Sequence, residues 1–236
     1  MDAPTVAVLI PTFNRLSILV DTIDSLHTMV MYGGKLEYYV GVDSDKETTD
    51  QTTDTFLKRL HHVGNINVFD GPRRQGKKMR GYLGANLNML YAAAVADGHR
   101  LFLQMDDDHQ LIRALDLQPH VDKLLEDPTA GWIRLMGVGF HKYCGCLEGN
   151  YWRVRWDSPE AYIPSNRPHL KEKRFHDVFG GYPEDLKLGE TEEGFCMQCK
   201  DMAAMVDNPP CVMVPITVLT ESSWNHVGIS LQGQGE

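Results

Sequence analysis

Three consecutive aspartates, Asp106, Asp107 and Asp108, stand at the end of an apolar run from Leu101 to Met105. Adjacent carboxylates repel one another, so crowding them there costs stability unless a cation or hydrogen-bond donors compensate. Hard divalent ions such as Mg2+ and Mn2+ take oxygen ligands of this kind and keep room for water and phosphate oxygens. In extended backbone, residues 106 and 108 point to the same side, so both can address one ion. An acidic turn capping the next helix would use the same residues, and the triplet alone leaves both readings open.

Other groups have the composition of a site. Glu190, Glu192 and Glu193 crowd a predicted helix start, where the helix dipole also favours carboxylates. Cys144 and Cys146, with Cys196 and Cys199, could form a four-thiolate zinc site, against which stand the tight first spacing and the helical setting of the second pair. Buried free thiols are the competing reading. Trp152, Trp156 and Tyr162 could stack on a sugar or other ring, or fill a core. Two basic clusters, Arg73 to Arg80 and Lys171 to Arg174, could meet an anionic ligand or lie in solvent.

The elements that must position these residues alternate strand and helix. Val6 to Ile10 is a continuous apolar run stopped by Pro11, as in a strand buried on both faces. Leu16 to Met29 has helical spacing, and Leu36 to Val42 reads as a strand ending at Asp43. A helix capped by Thr49 or Asp50, a strand at 65–69, a helix at 81–96 and the strand 101–105 follow. This order predicts a mainly parallel sheet with helices on both faces. In such sheets ligands gather at the carboxyl ends of strands, where Pro11 to Arg15, Asp43 and Asp106 to Asp108 all fall.

The later chain is less regular. Strands are expected at 131–140, 149–156 and 211–219, and a helix at 190–205. The span 158–179 reads as a loop or lid, and the tail after Ser230 as mobile. A length of 236 residues suits one domain with a substantial core, without a clear linker. The net charge of −9 argues against a general nucleic-acid magnet. No apolar run reaches the roughly 20 residues of a membrane span. The odd cysteine count, five, does not suit a disulfide framework, so a cytoplasmic setting is expected.

The segments VAVLIPTFNR, YYVGVDSD, GANLNMLYAAAVADGHRLFLQMDDD and FGGYPEDLKLGETEEGF occur in an order that resembles family 2 and related glycosyltransferases of the GT-A fold. The resemblance implies one Rossmann-like α/β domain over residues 1–236. Residues 1–110 would form its nucleotide-sugar half and 111–236 its acceptor half. It implies a nucleotide-binding set of Pro11, Thr12, Asn14, Arg15, Asp43, Arg80, Asn86, Asp106 and Asp107. Asp108 would hold the metal, assisted by Asp106 and by a returning C-terminal histidine, His226. An imidazole ligand favours Mn2+ over Mg2+. One glutamate of Glu190, Glu192 and Glu193 would be the general base of an inverting transfer, although the sequence Glu-Thr-Glu-Glu departs from the family's Glu-Asp pair.

The implied reaction is metal-dependent transfer of a hexose-like group from a nucleotide diphosphate sugar, UDP-sugars favoured, to a hydroxyl. Two rivals stay open, a nucleotidyltransferase of related fold and a non-catalytic nucleotide-sugar or glycan-binding module. The acceptor is unassigned. The basic residues at 153–155 and 171–174 keep an anionic acceptor, DNA included, among the candidates.

Overall fold

A computed structural model describes residues 3–13, 15–43, 55–56, 58–71, 83–136, 144–160, 162–186, 189–205, 214–218 and 224–226. Its elements run β1 (Val6–Phe13), α1 (Leu16–Met29), β2 (Val30–Met31), β3 (Leu36–Asp43), β4 (Ile66–Asp70), α2 (Leu83–Ala96) and β5 (Leu101–Gln104). Next come β6 (His109–Leu111), β7 (Leu115–Asp116), α3 (Gln118–Glu126), β8 (Ala130–Arg134), β9 (Gly145–Glu148), β10 (Tyr151–Val154) and β11 (His169–Glu172). The chain continues through α4 (Lys173–Phe179), α5 (Glu190–Ala204), β12 (Val214–Val218) and β13 (Trp224–His226).

Among the described residues one sheet has nine strands in the order β4-β3-β1-β5-β11-β8-β12-β10-β9. The first four are mutually parallel, as the alternating strand and helix signals predict. β11 then enters antiparallel between β5 and β8. The expectation of a mainly parallel α/β sheet holds, with β11 and β10 running against the rest.

Alternation along β1 explains its unbroken apolar run. Val6, Val8 and Ile10 pack with Leu19, Ile23 and Leu26 of α1 and with Val121 and Leu124 of α3. Ala7 and Leu9 face the other way, against Leu90 and Ala94 of α2. All five β1 residues are fully buried, so neither face has use for a polar side chain. A third cluster joins Trp132, Phe175, Phe179 and Phe195, where α4 and α5 cover the second half of the sheet.

The span 158–179 departs from the expected loop. It contains the central strand β11 and the helix α4. Polar and basic residues at His169, Lys171 and Glu172 hid a strand that is buried along its whole length. The expected strand at 149–156 is one arm of a hairpin: Gly149, at φ +58°, makes the turn between β9 and β10. A side chain is strained at such a φ, which suits glycine. Residues 55–56 and 58–59 are helical, in the span of the helix expected to reach His61, whereas its start at Thr49 or Asp50, the strand ends at 137–140, 211–213 and 219, and the tail after Ser230 lie outside the described residues.

Candidate active site

The carboxyl ends of β1, β3 and β5 lie side by side, and the loops that leave them carry the polar residues. Phe13 of β1 stands in register with Asp43, which is buried at the end of β3. Asn86 of α2 is buried too, and its Nδ2 donates to the Gly41 carbonyl of β3 at 3.0 Å. A β-carbon on Gly41 would sit 1.8 Å from Asn86 Oδ1, so glycine is what lets α2 dock against β3. Asn86 thereby ties the helix to the sheet beneath the site.

After β5 the chain turns, and the three aspartates separate. Asp107 is fully buried. Its Oδ2 accepts a 2.5 Å hydrogen bond from Thr12 Oγ1, its other oxygen pairs with the Arg15 guanidinium, and its carbonyl accepts from Thr22 Oγ1 at 2.6 Å. Burial pushes the Asp107 carboxyl up to about 6 against the opposing pull of Arg15 and Thr12. Asp108 pairs with Arg15 at 2.7 Å and meets His109 Nδ1 at 3.3 Å.

Ligand atoms of Asp106, Asp108 and His109 lie within 4.8 Å of one another. Two carboxylates and an imidazole are a donor set that fits Mn2+ or Mg2+, with open positions left for phosphate or water. Among the described residues this is the group with metal-ligand spacing. The cysteines do not assemble one: Cys144 and Cys146 are exposed, whereas Cys196 and Cys199 are buried in α5. Sequence reasoning passed over His109, although it directly follows the aspartates. The ladder between β6 and β13 sets His226 opposite His109, bringing that distant residue back to the acidic turn.

From the other side, the first turn of α5 brings in the glutamates. Glu192 is partly buried, and its Oε1 accepts the Asn166 backbone N–H at 2.6 Å. Burial drives the Asp106 carboxyl well above the usual range, and the negative charge of Glu192 adds more to that rise than Asp108 or Asp107 does. The charges of the two acidic clusters are therefore close enough to act on one another. Glu193 is exposed and accepts from the Tyr162 hydroxyl at 2.7 Å, and Glu190 is exposed at the helix start. Burial also raises the Glu192 carboxyl, opposed by the Asn166 amide, Arg167 and Arg134.

The remaining expected residues divide plainly. Pro11 and Thr12 end β1 and are buried. Asn14, Arg80 and the cluster at 73–80 lie outside the described residues. Trp156 packs on Phe179 in the core with ring centroids 5.3 Å apart, and Trp152 borders the same cluster, whereas Tyr162 is exposed beside Glu193. The cations that kept an anionic acceptor in view are engaged within the chain. Lys171 is buried, Arg153 pairs with Asp127 and Glu148, Arg155 pairs with Asp157, and Arg174 holds Glu172 and the carbonyls of Leu124 and Asp127.

The sequence profile of the family described as "Glycosyl transferase family 2" matches residues 7–163, about two thirds of the chain. The chain belongs to glycosyl transferase family 2. That stretch runs from β1 through the aspartates to the segment holding Tyr162, so it takes in the strand ends described above.

This family 2 chain matches no curated protein by sequence. Among solved structures it is similar to the mannosyltransferase PcManGT from Pyrobaculum calidifontis, determined in complex with GDP-Man and Mn2+. Identity is 20%, the TM-score is 0.52, and the match covers 90% of this chain and 56% of that one. It is also similar to residues 1–349 of S. aureus TarS in complex with UDP, at 17% identity and a TM-score of 0.58, covering 94% of this chain and 60% of that one. These likenesses establish the GT-A fold. The chain spans under two thirds of the length of either structure. Among the described residues no helix is long and apolar enough to cross a membrane.

Proposed function

We propose that this family 2 chain is a metal-dependent glycosyltransferase that moves a hexose from a nucleoside diphosphate sugar to an acceptor hydroxyl with inversion. The observation that supports it is the convergence of Asp106, Asp108 and His109 at the end of β5, with Glu192 at the start of α5 near enough for its charge to act on Asp106. Asp106, Asp108 and His109 would hold the ion, with His226 across the ladder as a further ligand. A bound Mn2+ or Mg2+ supplies Lewis acidity to the departing diphosphate.

Glu192 is the residue we assign as general base. It takes the proton of the acceptor hydroxyl as the new glycosidic C–O bond forms and the bond from the anomeric carbon to the diphosphate oxygen breaks. One displacement of this kind inverts the anomeric centre. Pro11, Thr12, Asp43 and Arg15 border the side where the nucleotide would lie. In this reading residues 1–110 carry the donor and residues 111–236 the acceptor. The solved relatives hold GDP-Man or UDP, so UDP- and GDP-linked hexoses are the first donors to examine.

The test is thermal unfolding with UDP and GDP, each with and without Mn2+ or Mg2+, joined to release of nucleoside diphosphate from UDP- and GDP-sugars. A ligand at a hundredfold excess over its Kd stabilises by about 2.7 kcal/mol, which raises the unfolding temperature by several degrees. Asp108→Ala is expected to erase the metal-dependent part of that shift and to slow release at least about a hundredfold. If no nucleotide stabilises the wild-type chain with either metal, the reading is wrong.

A further inference from the structure

The sheet face beneath α5 carries buried polar residues among aromatic ones such as Trp132 and Phe102. Gln104 of β5, His169 of β11 and Arg134 of β8 stand opposite one another in register, and Lys171 follows two residues along β11 on the same face. The residues between them, Leu103, Leu170 and Ile133, turn to the opposite face and join the large core. All four polar side chains are buried, and burying polar groups is costly unless each finds partners.

Lys171 is the most demanding of them. Among the described residues no carboxylate pairs with it. Its Nζ donates to Gln104 Oε1 at 2.5 Å and to the Tyr182 hydroxyl at 2.9 Å, and lies 4.9 Å from the centre of the Tyr182 ring. The Tyr182 hydroxyl donates in turn to the same Gln104 Oε1 at 3.0 Å. Two donors converging on Oε1 fix which way the Gln104 amide lies. Its Nε2 is left to donate to Asn166 Oδ1 at 3.1 Å. The backbone N–H of that same Asn166 binds Glu192. Arg134 holds the other end of the segment, donating to the carbonyls of Tyr162 and Ile163 at 2.7 Å each.

We propose that Lys171 is a positioning residue for Glu192, acting through Gln104 and Asn166 to keep the 162–166 segment where its amide holds the Glu192 carboxylate. The proposal rests on the reading of Glu192 as general base. A buried lysine on a strand floor contributes nothing to a site by its own reach; its effect here is to set the direction of one amide two hydrogen bonds away. Burial drives the Lys171 ammonium well below the usual lysine range, and it has an N–H for Gln104 in either protonation state.

Three variants separate this from a packing role. Glu192→Gln tests the base itself. Lys171→Met removes one of the two donors that orient Gln104 and leaves the Tyr182 hydroxyl as the other. Gln104→Glu keeps acceptors for Lys171 and Tyr182 and adds an ion pair, but as a carboxylate has no N–H for Asn166, so it removes the link without opening a cavity. Each is measured for release of nucleoside diphosphate from UDP- and GDP-sugars with water as acceptor, and for thermal stabilisation by UDP or GDP with Mn2+. Misplacing a reacting group by about 1 Å can cost about a hundredfold. Gln104→Glu and Lys171→Met are each expected to lower kcat about ten- to a hundredfold, with the donor KM within about twofold and the nucleotide stabilisation retained. Either one in the Glu192→Gln background is expected to lower kcat no further. Loss of kcat in Glu192→Gln with unchanged kcat in folded Gln104→Glu and Lys171→Met overturns the positioning role and leaves the base in place. Unchanged kcat in Glu192→Gln overturns both.

Discussion

Thr12 Oγ1 donates to Asp107 Oδ2 at 2.5 Å, joining the end of β1 to the turn after β5 across 95 positions of sequence. The bond separates the aspartates by task. Asp107 faces inward and, with Arg15, knits two strand ends together, which leaves Asp106 and Asp108 on the side of His109. A buried carboxylate that loses a donor keeps its full desolvation penalty. Thr12→Val, close to isosteric, is therefore expected to destabilise the chain by about 1–3 kcal/mol. That lowers the unfolding temperature by roughly 2–12 °C, read by calorimetry. An unchanged unfolding temperature would show that the bond contributes nothing.

His109 supplies the nitrogen of the proposed ligand set, and nitrogen distinguishes metals. Imidazole favours Mn2+ over the oxygen-loving Mg2+. His109→Gln is expected to weaken Mn2+ binding by about tenfold or more while leaving Mg2+ binding nearly unchanged. Calorimetric titration of both ions against both proteins measures the ratio. Equal losses for the two metals would remove His109 from the ligand set.

The contact between Gly41 and Asn86 predicts a reversal. Gly41→Ala places a methyl group inside contact distance of the Asn86 amide and is expected to cost about 1–3 kcal/mol through overpacking. Asn86→Ala removes the obstacle along with its bond to the Gly41 carbonyl. The double variant should therefore be more stable than the sum of the two single losses by about 1 kcal/mol or more. Urea unfolding of the four proteins closes the cycle, and strict additivity would refute the clash.

The ionic network at the far edge of the sheet gives a pH dependence. Burial alone would raise the Asp127 carboxyl, but hydrogen bonds from Thr129, Lys123 and Arg153 outweigh it and hold the group well below the usual carboxylate range. A depressed folded-state value contributes stability above the unfolded value, near pH 4, and that contribution is lost as the pH falls further. Asp127→Asn is expected to cost on the order of 1 kcal/mol at pH 7. The gap from wild type should narrow toward pH 3. Urea unfolding at the two pH values decides it, since a gap that widens on acidification has the wrong sign.

How much of this was legible beforehand depended on whether a residue's neighbours were local. The apolar run Val6 to Ile10 announced a strand covered on both faces, and Leu16 to Met29 announced its helix with the bounds that the structure has. The antiparallel strand β11 was hidden because its polar residues are buried on long-range partners. Lys171 reads as surface until Gln104, 67 positions away, is beside it. Arg153 likewise finds Asp127 26 positions away, whereas Arg155 and Arg174 pair with Asp157 and Glu172 close by in the sequence.

The sequence by itself determined the order of the main strands and helices up to Met105, the acidic ends and the family signature, because periodicity and strand termination are properties of neighbouring residues. Only the tertiary structure decided which aspartate turns inward, that His109 joins Asp106 and Asp108, and that the Asn166 amide lies on the Glu192 carboxylate. Those relations depend on distance and burial between strands that the chain brings together only by folding. The charge and hydrogen-bonding capacity of a side chain can be read from its formula, but its partners are set by packing.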